Sequence, residues 1–313
     1  MKVLILNHHH KECGVYQFAK RVFDLASKSQ KISYFYREIE YGDPSTHISS
    51  RTAYYNVLTE IDPDYIVYNW HWDRMPWLRE DDLTSNKRSK HYFMWHDGSM
   101  MRGYDKYIFF GGLDPDQTAV PVDKRILLPR PLYNYNGVYP RNDLITIGSF
   151  GFAFLNKRFP DLVKLVNNEF DRAILNIHMT NPYFGDTPGN VLSEIVSACN
   201  KNNTNPNIKL NINTNFVDDD AVLTFLAGND ITVFYYDLYR QVGLSSAIDY
   251  ALSVKRPIAI TNHTAFRHIV SDEILIENNS IEAILNRGTR PIDKYYDIWD
   301  TNVFTLEMEK LFI

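Results

Sequence analysis

Residues suited to binding a phosphate group cluster between positions 239 and 264. Apolar residues at positions 244, 247, 248, 251 and 252 have the spacing of one helix face, and the helix they predict starts beside Gly243. The unpaired N–H groups and the positive dipole end at a helix start attract anions. The residues that this helix start would bring to the anion or place on its polar face are Gly243, Leu244, Ser245, Ser246, Asp249 and Tyr250.

Two adjacent cations, Lys157 and Arg158, predict a second contribution to anion binding. They follow the sequence Gly-Ser-Phe-Gly at residues 148–151, where a predicted strand ends. Arginine supplies a planar fork and lysine a point charge, so the pair would neutralise a diphosphate. The alternative is an ordinary solvated helix start. We favour the ligand because the Gly243 helix in the same half independently offers an anion site.

Two tryptophan–histidine sequences, Trp70-His71-Trp72 and Trp95-His96-Asp97, each follow a predicted strand. Doubly wound sheets bind ligands at this carboxyl edge. His96 would donate to a sugar hydroxyl or a carbonyl, and Asp97 would orient it or accept a proton. The alternative is that the tryptophans pack in the core and the histidine caps a strand end. This alternative is stronger for His71 than for His96.

The first loop contains three consecutive histidines, His8, His9 and His10, followed by Cys13 and Gly14. Gly14 precedes the first predicted helix, where it would let the backbone approach a ligand. The loop lacks the G-x-G-x-x-G spacing of a dinucleotide site, so NAD is not predicted. Adjacent histidines do not readily face one ion, so we favour a solvated loop over a metal site.

Alternating strands and helices position these residues. Strands are predicted at residues 2–7, 32–37, 65–69, 91–95, 107–110 and 125–128, and again at 144–150, 173–178, 208–213, 231–235 and 257–261. Such alternation is typical of parallel sheets covered by helices. An Asn, Gly and Pro cluster at residues 133–143 is interpreted as a linker. We therefore predict an α/β protein with Rossmann-like domains at 1–136 and 137–295.

The bulk composition is that of a globular protein. The chain has 313 residues, 44% of them hydrophobic and 23% charged, which argues against disordered and fibrous classes. No apolar run approaches the ~20 residues that span a bilayer. The absence of a secretory signal and two distant cysteines, Cys13 and Cys199, lead us to expect a cytoplasmic protein. The net charge of −5 makes nucleic acid an unexpected partner, although a local basic groove stays open.

In combination, these sequences resemble the GT-B fold glycosyltransferases, and within them family four, the retaining enzymes similar to glycogen synthase and sucrose synthase. The similar segments keep their order across most of the chain. They lie at residues 13–15, 62–71, 94–97, 147–151 with Lys157, 243–251 and 257–261. The resemblance implies two α/β/α domains facing across a cleft, and we expect a C-terminal helix over 296–313 to pack back on the first domain.

The resemblance also implies how substrates bind. A nucleotide-diphospho-sugar donor would be bound mainly by the C-terminal domain, and the acceptor by the N-terminal domain. By position, Gly14 would approach the sugar and diphosphate, and His96 would contact the donor sugar. The diphosphate and ribose would be held by Lys157, Arg158, Ser245 and Ser246.

The sequence departs from family four at a pair of glutamates, separated by seven residues, that usually hold the sugar and the ribose. Val242 and Tyr250 stand at these positions, with Asp249 beside the second. Asp249 would accept hydrogen bonds from ribose hydroxyls. The sugar would be left to Tyr239, Arg240 or the backbone.

We therefore predict a metal-independent glycosyltransferase of polysaccharide biosynthesis that needs no cofactor. It would move a sugar from a nucleotide-diphosphate donor to a hydroxyl acceptor such as a glycan or a lipid-linked sugar. A lipid-linked acceptor would bring it to the inner face of a membrane. Retention is expected from the family; if the enzyme inverts, His96 or Asp97 would be the base. The alternatives are a catalytically weak or silent sugar-nucleotide-binding protein and a sugar-nucleotide epimerase of the same fold.

Overall fold

A computed structural model of the protein describes residues 1–40, 47–96, 101–186, 188–237 and 243–313. The chain forms two compact units, Met1–Pro131 with Thr301–Ile313, and Leu132–Asp300. The predicted linker therefore starts inside the second unit. There the Tyr133 backbone N–H donates to Ser253 Oγ at 2.9 Å, and the Tyr133 hydroxyl donates to Asp219 Oδ2.

The first unit is built on a six-stranded parallel sheet with the order β2-β1-β3-β4-β5-β6. Its strands are β1 (Lys2–His8), β2 (Ser33–Ile39), β3 (Tyr65–Tyr68), β4 (Lys90–Met94), β5 (Lys106–Phe110) and β6 (Arg125–Leu128). Its helices within the described residues are α1 (Gly14–Ala26), α2 (His47–Ile61), α3 (Glu80–Ser85) and, from the end of the chain, α10 (Thr301–Lys310). Short 3-10 turns lie at Pro115–Gln117 and Val122–Lys124.

The second unit is built on a five-stranded parallel sheet with the order β11-β10-β7-β8-β9. Its strands are β7 (Thr146–Phe152), β8 (Ala173–Thr180), β9 (Ile208–Asn213), β10 (Ile231–Phe234) and β11 (Ile258–Ile260). Its helices within the described residues are α4 (Phe159–Glu169), α5 (Asn190–Asn202), α6 (Asp219–Ala227), α7 (Ala247–Ser253), α8 (Ile281–Arg287) and α9 (Lys294–Ile298). The 3-10 turns lie at Leu155–Lys157, Thr264–Phe266 and Arg290–Ile292.

Both sheets are buried on their two faces at the centre. Every residue of β1 from Val3 to His8 is buried, as are all four residues of β10. Because successive side chains of a strand point to opposite faces, continuous burial requires cover on both. The predicted α/β class with two Rossmann-like sheets is confirmed.

The strand order marks one position in each sheet where ligands are expected. In the first sheet the order reverses between β1 and β3, and in the second between β7 and β10. At such a switch point, the chain leaves the carboxyl ends of the two neighbouring strands in opposite directions. A crevice opens between the two connections. We therefore expect ligands to bind at the loops that follow these four strands.

In the second sheet, the backbone of Gly148 packs closely against the side chain of Asn229. A Cβ added to Gly148 in β7 would lie 2.4 Å from Asn229 Nδ2, so the glycine makes room for this side chain. Asn229 Oδ1 accepts from Asn176 Nδ2 at 2.9 Å, and Asn176 Oδ1 accepts from Asn211 Nδ2 at 2.8 Å. A row of amides thus links β8, β9 and the turn before β10.

The helix predicted to start at Leu244 begins at Ala247 and is only seven residues long. The Ser245 backbone N–H donates to the Ala265 carbonyl at 3.0 Å, which ties this segment to the turn after β11 instead of leaving the N–H for an anion. The Ser245 N–H is therefore already paired within the protein, and the helix-start phosphate site expected at Gly243 stays a prediction. Residues 239–242 lie outside the described part of the chain.

The C-terminal helix α10 packs within the first unit. Glu309 accepts from Ser29 Oγ at 2.7 Å and pairs with Lys31 at 2.8 Å, and these contacts hold its pKa below the usual range. Thr305 Oγ1 donates to the Leu25 carbonyl of α1 at 3.2 Å. None of the helices in the described residues is long and apolar enough to cross a bilayer.

Candidate functional site

Lys157 and Tyr236 meet at the switch point of the second sheet. Lys157 ends the turn that follows β7, and Tyr236 lies just beyond β10. The Lys157 ammonium hydrogen-bonds to the Tyr236 hydroxyl and lies 3.6 Å from the centroid of its ring. A cation held over an aromatic ring gains electrostatic attraction from the ring face. The contact therefore places the Lys157 amine where the sheet opens.

The Lys157 ammonium is shielded from water by this packing. Burial lowers its pKa to about 7, because the charged form loses hydration that the Tyr236 ring and hydroxyl replace only in part. Burial also raises the pKa of Tyr236, which keeps its hydroxyl protonated. An arriving anion would favour the charged lysine, so the site is suited to a phosphate.

Ser245 completes this group from the segment before α7. Its hydroxyl lies 3.2 Å from the Tyr236 hydroxyl, and its side chain is buried. Ser246 and Leu244 are half-buried beside it, and Gly243 is buried. Of the residues predicted at this helix start, Ser245 is the one that the structure brings to Lys157, through Tyr236.

Arg158 is turned away from the lysine. Its Nε donates to Asp161 Oδ2 at 2.9 Å in the first turn of α4, and its guanidinium lies 5.0 Å from the Tyr235 ring. The residue has a left-handed backbone, with φ of 49°, which sends its side chain toward α4. The two predicted cations therefore do not form one joint clamp.

Asp249 and Tyr250 lie inside the second unit. Asp249 is completely buried in α7, and Ser253 Oγ donates to its carbonyl at 2.6 Å. The Tyr250 hydroxyl donates to Asp219 Oδ1 at 2.6 Å, and its ring packs 5.7 Å from that of Phe150. Tyr250 thus joins α7 to α6, near the position that the resemblance to family four aligns with a glutamate.

A chain of amides spans the switch point of the first sheet. Asn7 lies in β1, Asn69 directly follows β3 and His96 follows β4. Asn69 Nδ2 donates to Asn7 Oδ1 at 2.6 Å and to the Val15 carbonyl at 2.9 Å. His96 Nε2 hydrogen-bonds to Asn69 Oδ1, so this oxygen orients the imidazole. The network also holds Gly14, half-buried at the start of α1, near the same edge.

His96 is half-buried, with its ring edge against Phe18 at a centroid distance of 5.4 Å. The prediction that it lies at the carboxyl edge of the sheet agrees with this position, and its catalytic role stays a prediction. Asp97 and Tyr239, the other two residues proposed for sugar or proton chemistry, lie outside the described residues.

The histidines of the first loop are packed, contrary to the expectation of a solvated loop. His8 is completely buried and His10 is buried, while His9 is half-buried. Burial, and then the nearby charges of His10, Arg74, His9 and His71, lower the pKa of His8 to about 2. His8 is buried because β1 continues through it and lies between two other strands.

Comparison with known proteins identifies the fold. The chain is similar in structure to HepE (Alr3699) of Anabaena, solved with UDP-glucose, with a TM-score of 0.69 and 11% identity over 99% of both chains. It is also similar to a glycosyltransferase of Rickettsia africae (TM-score 0.60, 13% identity, 99% of this chain and 92% of that one) and to the trehalose-6-phosphate synthase OtsA (TM-score 0.61, 11% identity, 99% and 98%).

This protein has the GT-B fold. No protein-family model and no curated protein sequence matches the chain. At these identities the structural likeness establishes the fold, and the resemblance to family four stays a prediction. In this GT-B protein the Lys157–Tyr236 contact belongs to the C-terminal unit and the Asn69–His96 contact to the N-terminal unit.

Sequence reasoning missed Tyr236, Asn7 and Asn69. Each is placed at or just beyond the carboxyl end of a strand beside a switch point, so the predicted strand ends contained a signal. The positions of the strand ends were not enough to find these residues. Strand order decides which strand ends lie together, and hydrophobic periodicity does not reveal strand order. Tyr236 also follows a second tyrosine, Tyr235, and only the structure shows which of them meets the lysine.

The described residues of this GT-B protein contain no group of three or more His, Cys, Asp or Glu side chains arranged to hold a metal ion. Cys13 and Cys199 are both buried thiols. The site at Lys157 offers an amine and hydroxyl groups, which suit an anion better than a divalent cation. Metal independence remains a prediction of the sequence.

Proposed function

We propose that this protein is a glycosyltransferase that moves a sugar from a nucleotide-diphosphate donor to a hydroxyl acceptor. The observation that carries the proposal is the Lys157–Tyr236–Ser245 group at the switch point of the C-terminal sheet. It offers a cation and hydroxyl donors where a doubly wound sheet binds ligands. The Anabaena HepE structures with UDP-glucose and with UDP support a nucleotide-diphosphate sugar as the donor class.

The chemistry that this group would perform is stabilisation of a leaving diphosphate. As the bond between the sugar and the diphosphate breaks, negative charge grows on the diphosphate oxygens, and a preorganised ammonium with hydroxyl donors lowers the energy of that state. We propose that configuration is retained, with the leaving diphosphate assisting the hydroxyl that attacks from the same face. Lys157 would then supply, without a metal ion, the positive charge that the reaction needs.

The N-terminal unit would contribute His96 from its own switch point. The hydrogen bond from Nε2 to Asn69 Oδ1 sets the orientation of the imidazole. We propose that His96 contacts the donor sugar, and that a glycan or lipid-linked sugar is the acceptor. Polysaccharide biosynthesis in the cytoplasm is the setting that we propose for this reaction.

A second candidate is a sugar-nucleotide-binding protein with weak or no transferase activity. The observation that favours it is the position of the two side chains proposed to replace a ribose-binding glutamate. Tyr250 donates its hydroxyl to Asp219, and the Asp249 side chain is completely buried. A ribose would then rely on backbone groups or on residues outside the described part of the chain.

Thermal unfolding with UDP, GDP and their sugar conjugates tests both candidates. A rise in melting temperature with one nucleotide family, followed by donor hydrolysis or transfer to a glycan, supports the transferase. Stabilisation without hydrolysis, transfer or epimerisation of the donor supports the binding protein. If no nucleotide raises the melting temperature, both candidates are wrong.

A further inference from the structure

Trp72 is the exposed tryptophan of this chain. It has 61% of its surface accessible, whereas Trp70, Trp77, Trp95 and Trp299 are buried. A large indole left in water is unusual unless a partner covers it, since burial of such a side chain is strongly favourable. Its location is also specific. Trp72 lies four residues past the end of β3, at the carboxyl edge beside the β1–β3 switch point.

The turn that presents Trp72 is rigid. The His71 carbonyl accepts from the backbone N–H groups of Arg74 at 3.0 Å and of Met75 at 2.9 Å. The Met75 carbonyl in turn accepts from Trp70 Nε1 at 3.1 Å. Two backbone bonds and one side-chain bond therefore close this turn, and little conformational freedom would be lost on binding.

The indole ring is also supported on one side. It lies against the His71 imidazole, with a centroid distance of 5.9 Å and an angle of 29° between the rings. The Asp73 carboxylate contacts the same imidazole and pairs with the Arg74 guanidinium. The exposed ring is thus in contact with an imidazole, which the carboxylate of the next residue holds in turn.

We propose that Trp72 is a stacking platform for a carbohydrate ring, and that this ring belongs to the acceptor. A pyranose has an apolar face of C–H groups that packs on a flat aromatic surface, and hydroxyl groups at its rim that hydrogen-bond to charged side chains. Trp72 supplies the surface, and the one-third exposed Asp73 side chain follows it in the turn as a polar partner. A membrane or protein partner would instead require a contiguous apolar patch, and the side chains flanking Trp72 in its turn are polar.

The inference rests on the proposed function, because an acceptor is meaningful only for a transferase. Fluorescence makes it testable in the intact protein, since the other four tryptophans are buried. Acrylamide should quench the emission of wild-type protein and should quench Trp72→Phe much less. Neutral and acidic oligosaccharides of glucose, galactose, mannose and N-acetylglucosamine should then protect the wild-type emission at concentrations up to about 10 mM, the range of weak stacking contacts.

The variants separate stacking from folding. Trp72→Ala should raise the acceptor concentration needed for half-maximal transfer about tenfold or more, as truncation of a central aromatic contact does, and Trp72→Phe should raise it less. Leu127→Ala is the matched control, because Leu127 is an equally exposed apolar residue on β6, the edge strand of the same sheet. It should leave acceptor binding unchanged.

Binding of UDP, measured in the same samples, distinguishes the two ways of failing. If UDP binds but no oligosaccharide protects the emission and Trp72→Ala transfers sugar as well as wild type, the platform is wrong and the proposed function stands. If UDP does not bind, the proposed function fails first. Protection by phospholipid vesicles or by self-association in place of oligosaccharides also overturns the inference.

Discussion

The Lys157 ammonium lies 3.6 Å from the centroid of the Tyr236 ring, across the gap between the ends of β7 and β10. Arg158, its neighbour in sequence, contacts Tyr235 and Asp161 instead. Two adjacent cations are thus given different surroundings by two adjacent tyrosines. One cation is placed for a ligand, and the other supports the start of α4.

This separation predicts unequal effects on nucleotide binding. Lys157→Ala should weaken UDP binding about tenfold or more, because a charge-assisted hydrogen bond contributes roughly 1.5–3 kcal/mol. Arg158→Ala should weaken it less than about threefold, because the guanidinium already pairs with Asp161. Isothermal titration calorimetry measures both. Equal losses would show that Arg158 also reaches the diphosphate.

Nucleotide binding should depend on pH through Lys157. With a pKa of about 7, the free protein has largely lost this proton above neutral pH, and binding of an anion must restore it. The dissociation constant for UDP should therefore rise about tenfold per pH unit between about pH 7.5 and 9. Buffers with different ionisation enthalpies should reveal uptake of about one proton. Lys157→Met is the control and should abolish the slope, whereas a flat profile in wild type would contradict the mechanism.

The same lysine should cost stability in the absence of ligand. Its folded-state pKa is lowered, so the unfolded chain binds more protons between about pH 7 and 10, and stability contributed by this group rises with pH through that window. Lys157→Met should therefore raise the melting temperature near pH 7 by about 2 °C or more. It should also reduce the stabilisation by UDP at a given UDP concentration. A lower melting temperature of the variant would show that the lysine contact is net stabilising.

A buried histidine predicts sensitivity to acid. The folded-state pKa of His8 is about 2, below the 6.5 of an unfolded chain, so its contribution to stability is complete above pH 6.5 and is lost as pH falls toward 2. His8→Asn keeps an acceptor for the His10 backbone N–H, which donates to His8 Nδ1 at 3.2 Å. Between pH 6.5 and 5, acidification should lower the free energy of unfolding of both proteins. The loss should be smaller in the variant than in wild type, by about 1.4 kcal/mol per pH unit. Urea titrations at both pH values measure the difference, and identical slopes would refute it.

Gly148 predicts a specific coupling in the second sheet. An alanine Cβ would approach Asn229 Nδ2 to 2.4 Å, so Gly148→Ala should destabilise the protein by about 1–3 kcal/mol. Asn229→Ala alone should also destabilise it, because Asn176 Nδ2 then loses its acceptor. In the double variant only the Cβ of residue 229, at 3.1 Å, still crowds the new methyl group, so the loss should be smaller than the sum of the two. Additive losses in urea unfolding would show that the sheet relaxes without Asn229.

Much of the fold could be predicted from the sequence because strands and helices have local signals. Hydrophobic runs and helical spacing located the strands of both sheets and the main helices. The start of α7 was wrong by three residues because a tertiary bond from the Ser245 N–H to Ala265 takes the place of helical structure. The Gly148 neighbourhood could not be predicted either, since an asparagine 81 positions away fills the space.

The sequence by itself determined the α/β fold class and the segments in which functional residues were expected. The segments that contain Lys157, Ser245 and His96 lie next to apolar runs. Such runs predict strands and helices from neighbouring residues alone. The tertiary structure decided which of these residues meet. The order of the strands places Lys157 beside Tyr236 and Asn69 beside Asn7 and His96, and it turns Arg158 and Tyr250 toward other partners. Strand order depends on contacts between distant segments, so only the folded chain shows it.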